Sequence, residues 1–76
     1  MDIADHIDAT GLLCPLPVLK LRKRIGALAP GQLIELRADD PAAVVDVPHY
    51  CNESGHELVS LTEADGAQIY ILRKAS

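Results

Sequence analysis

Two cysteines, three histidines and the adjacent Asp39 and Asp40 are the side chains of this 76-residue chain best suited to chemistry. The sharpest arrangement surrounds Cys14, in the run Asp8-Ala9-Thr10-Gly11-Leu12-Leu13-Cys14-Pro15-Leu16-Pro17. A helical apolar spacing begins directly after it, so Cys14 stands before a predicted helix with Pro15 at its first position and Pro17 at its third. Proline is tolerated there because the first N–H groups of a helix have no intrahelical acceptor. The fixed φ of both rings stiffens the mount and leaves the amides of Leu16 and Val18 as the donors nearest the thiol. The positive end of a helix favours a thiolate, so Cys14 is expected to ionise below the ordinary thiol value of about 8.5. A value of about 7 would raise the ionised fraction at neutral pH from about 3% to about half. Exchange between sulfur atoms is fastest when the attacking thiol titrates near ambient pH, so this placement suits reversible covalent sulfur chemistry. The spacing is also satisfied by a cysteine that merely caps a helix, and it does not name a reaction.

The other candidates have plainer readings beside their sharper ones. Cys51 follows Tyr50 in a predicted helix and reads as a small buried hydrophobe. A resolving thiol for Cys14 is the alternative, but no Cys-x-x-Cys spacing supports it. The cysteines with His6, His49 and His56 lack the paired spacing of a zinc site, so no metal is expected. Asp39 and Asp40 precede Pro41, where helix capping explains them without a catalytic role. The run Lys20, Arg22, Lys23, Arg24 lies toward a helix C-terminus, where cations complement the dipole; its alternative is docking to acidic partners. Leu12, Leu13 and Leu16 flank the thiol and, if exposed, would suit a transient protein interface. Leu16 could instead pack into the core. Gly11 and Gly26 lack the spacing of a phosphate loop. A Cys-His hydrolase would need a histidine within reach of Cys14 and a shielded pocket, which is hard to build in so small a fold.

These side chains need elements to hold them. Alternation over His6–Ala9 predicts a strand left at Thr10-Gly11. Val18, Leu21, Ile25 and Leu28 at helical spacing predict an amphipathic helix from Pro15 to about Leu28, ended by Ala29-Pro30-Gly31. Gln32–Ala38 alternates again, with Ile34, Leu36 and Ala38 on one face and Glu35 and Arg37 on the other. Asp40 and Pro41 open a second helix running to about Asn52, its apolar side drawn from Val44, Val45 and Val47 and its course kinked or broken at Pro48. Glu57–Thr62 and Gln68–Arg73 flank Asp65-Gly66 as a hairpin, and the apolar run Ile69-Tyr70-Ile71-Leu72 predicts an inner strand. The order β-α-β-α-β-β, with a right-handed crossover joining a parallel first pair, gives an α/β (α+β) two-layer sandwich. It has a four-stranded mixed sheet and two helices on one face.

Composition narrows the function. A chain of 76 residues with 49% hydrophobic and 24% charged residues reads as one globular domain over its whole length. No apolar run reaches the length of a membrane span, and the early Asp2 and Asp5 stand where a signal peptide would be basic. A cytoplasmic, reducing location is expected, in which both thiols stay available. A net charge of −4, two tyrosines and no Phe or Trp argue against direct nucleic-acid binding. The expected partner is a protein.

At Cys14-Pro15-Leu16-Pro17 the sequence resembles the TusA family of small sulfur-carrier proteins, which includes SirA- and YedF-type members. The resemblance extends over Asp8, Gly11, Pro30-Gly31, Ala38-Asp39-Asp40-Pro41, Asp46-Val47-Pro48, Cys51 and Gly55-His56-Glu57-Leu58. It implies that Cys14 accepts sulfane sulfur as a persulfide from a cysteine desulfurase or another donor protein and yields it to an acceptor thiol. The destinations known for the family are tRNA thiolation, molybdenum-cofactor synthesis and sulfur oxidation. Asp8, Gly11, Pro15 and Pro17 would support the cysteine, Leu13, Leu16, Lys20 and Arg24 are candidate partner contacts, and no cofactor is required. One position departs from the pattern: many members carry Arg or Lys before the cysteine, where this chain has Leu13. Without that cation, stabilising a thiolate falls more on the helix end. Two readings stand beside the carrier: a non-catalytic regulatory interaction module, and a thiol redox switch pairing Cys14 with Cys51.

Overall fold

Six elements follow one another in the computed structural model, which describes residues 2–75. They are β1 (Ile3–Asp8), α1 (Leu16–Ile25), β2 (Leu33–Ala38), α2 (Ala43–Ser54), β3 (Glu57–Ala64) and β4 (Ala67–Arg73). The strands form one sheet in the order β1-β2-β4-β3, with β1 and β2 parallel and the other two pairings antiparallel. This is the anticipated α+β mixed sheet, and β4 is an inner strand as its apolar run requires. The hairpin turns at Asp65 and Gly66, both at positive φ (53° and 77°), the turn whose twist matches that of the paired strands.

Alternation makes the core. Ile7 and Ala9 at β1, Ile34, Leu36 and Ala38 on β2, and Tyr70 and Leu72 on β4 are buried on the face that both helices cover. Register confirms the shared face, since Leu36 pairs with both Ile7 and Tyr70, and Ile34 with Leu72. Glu35 and Arg37, of opposite phase, are half-buried on the face without helices.

The helices depart from expectation in instructive places. α1 ends at Ile25, a turn before Ala29-Pro30-Gly31, and Leu28 packs against the core from the turn that follows. The Lys74 ammonium fixes that end by donating to the carbonyls of Ile25 (3.0 Å), Gly26 (3.4 Å) and Leu28 (3.2 Å). α2 begins after Ala42 instead of at Pro41, and it runs without a break through Pro48 to Ser54. Its buried seam is Ala43, Val47 and Cys51, spaced four residues apart; Val44 and Val45 are 42% and 70% exposed. That seam secures the helix on both sides of Pro48, so the missing N–H costs one hydrogen bond and not the element. Among the described residues, no helix is long and apolar enough to cross a membrane.

Candidate functional site

The loop that presents Cys14 leaves β1 and is tethered to the residues that follow β2. Parallel pairing puts the C-terminal ends of β1 and β2 side by side, so the chain leaving each strand passes the other. Asp8 closes β1, its Oδ1 accepting from the Thr10 amide (3.0 Å) and hydroxyl (2.6 Å). Those bonds, the hydroxyl's first, hold the Asp8 carboxyl below its ordinary range. Gly11 turns at φ +81°, a conformation costly for any residue with a Cβ, and donates its N–H to Asp39 Oδ1 at 2.9 Å. The Cys14 N–H donates to Asp40 Oδ2 at 2.6 Å, while Asp40 Oδ1 accepts from Ala42 at 3.2 Å. The paired aspartates therefore tether the cysteine loop; Asp40 braces the turn before α2 through Ala42, but it is not the N-cap the sequence suggested, since that position falls to Ala42, which carries no side-chain cap.

Cys14 is exposed and free, joined to Pro15 by a cis peptide bond, with Pro15 as the N-cap of α1 and Pro17 buried in its first turn. Its surroundings overturn the expected depression of the thiol pKa. Sγ donates to Asp46 Oδ2 at 2.7 Å, and this hydrogen bond, then desolvation and the charges of Asp46 and Asp40, push the thiol up. The helix end offers little to offset them. Pro15 and Pro17 have no N–H, and the Leu16 amide donates instead to the Leu13 carbonyl at 2.9 Å. An accepting carboxylate stabilises the protonated thiol, and a second negative charge disfavours the thiolate.

From the thiol a cleft of about 240 Å³ runs between the helices, with Val18, Leu19 and Arg22 on one wall and Asp46, His49 and Tyr50 on the other. Leu13 and Leu16, which bracket Cys14-Pro15 in the chain, are 69% and 47% exposed, whereas Leu12 packs against the core. Lys20 is exposed on α1. Arg24 turns the other way, donating to Asp5 Oδ2 (2.9 Å) and the His6 carbonyl (3.1 Å), a pairing that lowers the Asp5 carboxyl. Arg22, not Arg24, is thus the cation on the cleft. Cys51 is a buried free thiol, raised by its burial. His6, His49 and His56 bond to Glu35, Glu53 and the Ala75 amide. Among the described residues, no three His, Cys, Asp or Glu side chains gather as a metal site. Sequence reasoning missed Asp46 and Leu19 as site residues, and it named Arg22, His49 and Tyr50 without bringing them to Cys14. The Asp46-Val47-Pro48 match was the one signal for Asp46, which lies 32 residues from Cys14 in sequence.

Comparison with known proteins agrees with this architecture. The family model Sulfurtransferase TusA matches residues 5–74. The chain is 46% identical over 68 residues to the sulfur carrier protein TusA of Pseudomonas paraeruginosa, covering 90% of this chain and 86% of the relative. It is 44% identical over 68 residues to that of Pseudomonas putida, covering 90% and 85%. A crystal structure of a SirA-like protein from Desulfitobacterium hafniense superposes with a TM-score of 0.83 at 22% identity, covering 95% of this chain and 99% of that one. That last likeness speaks to the fold, and the first three to descent: this chain belongs to the TusA family of sulfur carriers.

Proposed function

We propose that the chain acts as one domain that carries sulfane sulfur as a persulfide on Cys14, taking it from a cysteine desulfurase or another donor protein and delivering it to an acceptor protein thiol. The observation that supports this reading best is an exposed thiol at the end of an open cleft, flanked by the exposed Leu13 and Leu16. An apolar rim around a reactive atom suits brief contact with another protein. In loading, Cys14 Sγ attacks the outer sulfur of a donor persulfide. A new S–S bond forms to Sγ, the donor's S–S bond breaks, and the donor leaves as a thiol with the proton that Cys14 gives up. Delivery is the same exchange run toward the acceptor. The outer sulfur keeps its oxidation state throughout, so no external oxidant, reductant, metal or cofactor enters. The setting is the reducing cytoplasm, and the recipient pathways are tRNA thiolation, molybdenum-cofactor synthesis or sulfur oxidation.

The test is intact-protein mass spectrometry after incubation with a cysteine desulfurase and cysteine. We expect one added sulfur atom on Cys14, removed by reductant and absent from Cys14→Ser. Failure to load from several desulfurases and from a low-molecular-weight persulfide overturns the proposal. Function that survives Cys14→Ala would favour the interaction module instead, and a Cys14–Cys51 disulfide under mild oxidant would favour the redox switch.

A further inference from the structure

The thiol of a sulfur carrier must be found by donors and yet not be consumed by every passing electrophile. In this protein its nearest side-chain partner is a carboxylate on the other wall of the cleft. Asp46 sits in the first turn of α2, held by its own N–H donation to the Ala42 carbonyl at 2.9 Å, and its Oδ2 accepts the Cys14 proton at 2.7 Å. The cysteine backbone is fixed independently by Asp40. The loop thus has one carboxylate to place its main chain and another to place its sulfur.

We propose that Asp46 is a positioning residue for sulfur transfer, its carboxylate pinning Sγ at the end of the cleft and keeping it a thiol until a departing donor sulfur can take the proton. The inference rests on the carrier reading for its purpose, but the contact can be tested without any sulfur transfer. Asp46 is not a base that leaves the sulfur ionised at rest. A carboxylate is far too weak a base to hold a proton against a thiolate, so at equilibrium the proton stays on sulfur and Asp46 accepts a hydrogen bond. In the exchange the proton passes from Cys14 to the leaving sulfur of the donor, where the S–S bond has just broken, and Asp46 ends as it began.

The charged and titratable groups facing Cys14 are few. Asp40 approaches from the β2–α2 turn, Arg22 lines the cleft from α1, and Asp46, His49, Tyr50 and Glu53 line it from α2. The two groups that act on the thiol by charge are Asp46 and Asp40, and both oppose ionisation, as does desolvation. Leu13 supplies no compensating cation.

The test is the pH dependence of Cys14 modification by dithiodipyridine, a neutral disulfide, with Cys14 followed by peptide mass spectrometry in wild type, Asp46→Asn and Asp46→Glu. Asp46→Asn should move the reactivity midpoint to lower pH. Each unit of that movement raises the neutral-pH thiolate population about tenfold and lowers its nucleophilicity about threefold, so the observed rate should rise about threefold per unit. Asp46→Glu should restore much of the wild-type profile. In the unmodified protein, the Asp46 carboxyl carbon resonance should show a second step at the pH where Cys14 ionises. That readout stands even if a variant fails to fold. An Asp46→Asn profile overlapping wild type, or a carboxyl resonance blind to Cys14, overturns the inference while persulfide loading could still succeed. A shifted profile in a protein that never loads would leave the pairing intact and remove its purpose.

Discussion

At the scale of single residues, the site is governed by three aspartates with separate tasks. Asp39 takes the Gly11 amide, Asp40 takes the Cys14 amide, and Asp46 takes the thiol itself. Asp40 bridges two segments, so Asp40→Ala removes bonds to both Cys14 and Ala42. We expect it to cost about 2 kcal/mol in urea unfolding, because a carboxylate acceptor is lost from two backbone donors. Hydrogen exchange at the Cys14 amide should accelerate in the same variant, beyond what the global loss explains. The motif itself was legible here, since Cys14, Pro15 and Pro17 read as a helix entry. The sign of the thiol shift was not. It depends on a side chain 32 residues away and on Leu16 giving its amide to Leu13, neither of which a local pattern contains.

At the scale of elements, apolar periodicity carried most of the reading. Strand alternation over Ile34, Leu36 and Ala38 gives the buried face of β2, and Asp65-Gly66 gives the hairpin. Element ends were less legible because distant groups set them. α1 stops at Ile25, where a lysine from beyond β4 takes its last carbonyls. Lys74→Met should therefore cost about 1–2 kcal/mol in chemical denaturation, since solvent replaces part of what the ammonium supplied. It should also fray the end of α1, seen as faster amide exchange from Arg24 to Leu28. The α2 seam shows the same limit on the apolar side. Three valines were candidates for burial, and packing against the sheet selected Val47 with Ala43 and Cys51, leaving Val44 and Val45 to solvent.

At the scale of the whole molecule, the C-terminal segment ties the fold together from both directions. The Gly31 N–H donates to the Lys74 carbonyl and the Lys74 N–H to the Gln32 carbonyl, both at 2.9 Å across the β2 and β4 ends, and His56 Nδ1 accepts the Ala75 N–H at 2.9 Å. The imidazole can accept there only when neutral, and burial, followed by the nearby Lys74 charge, holds its pKa down. A histidine depressed in the folded state contributes stability that is fully present above its unfolded pKa of about 6.5 and is lost as pH falls through its folded value. Melting temperature should therefore decline more steeply for wild type than for His56→Gln as pH falls below about 6.5, with the two curves parallel at higher pH. His6 and His49 are common to both proteins, so the difference isolates His56.

The sequence by itself determined which segments become strands and helices, the order in which they follow one another, and the family that the Cys14 motif marks. Those follow from apolar periods, proline and glycine placement and a contiguous motif, all of which act over neighbouring residues. Only the tertiary structure decided what surrounds the sulfur. Parallel pairing of β1 with β2 brings Asp39 and Asp40 beneath the cysteine loop, and packing of α2 against α1 brings Asp46 to the thiol and opens the cleft. Electrostatics at a site sums over every charge within reach in space, and separation along the chain says little about that distance.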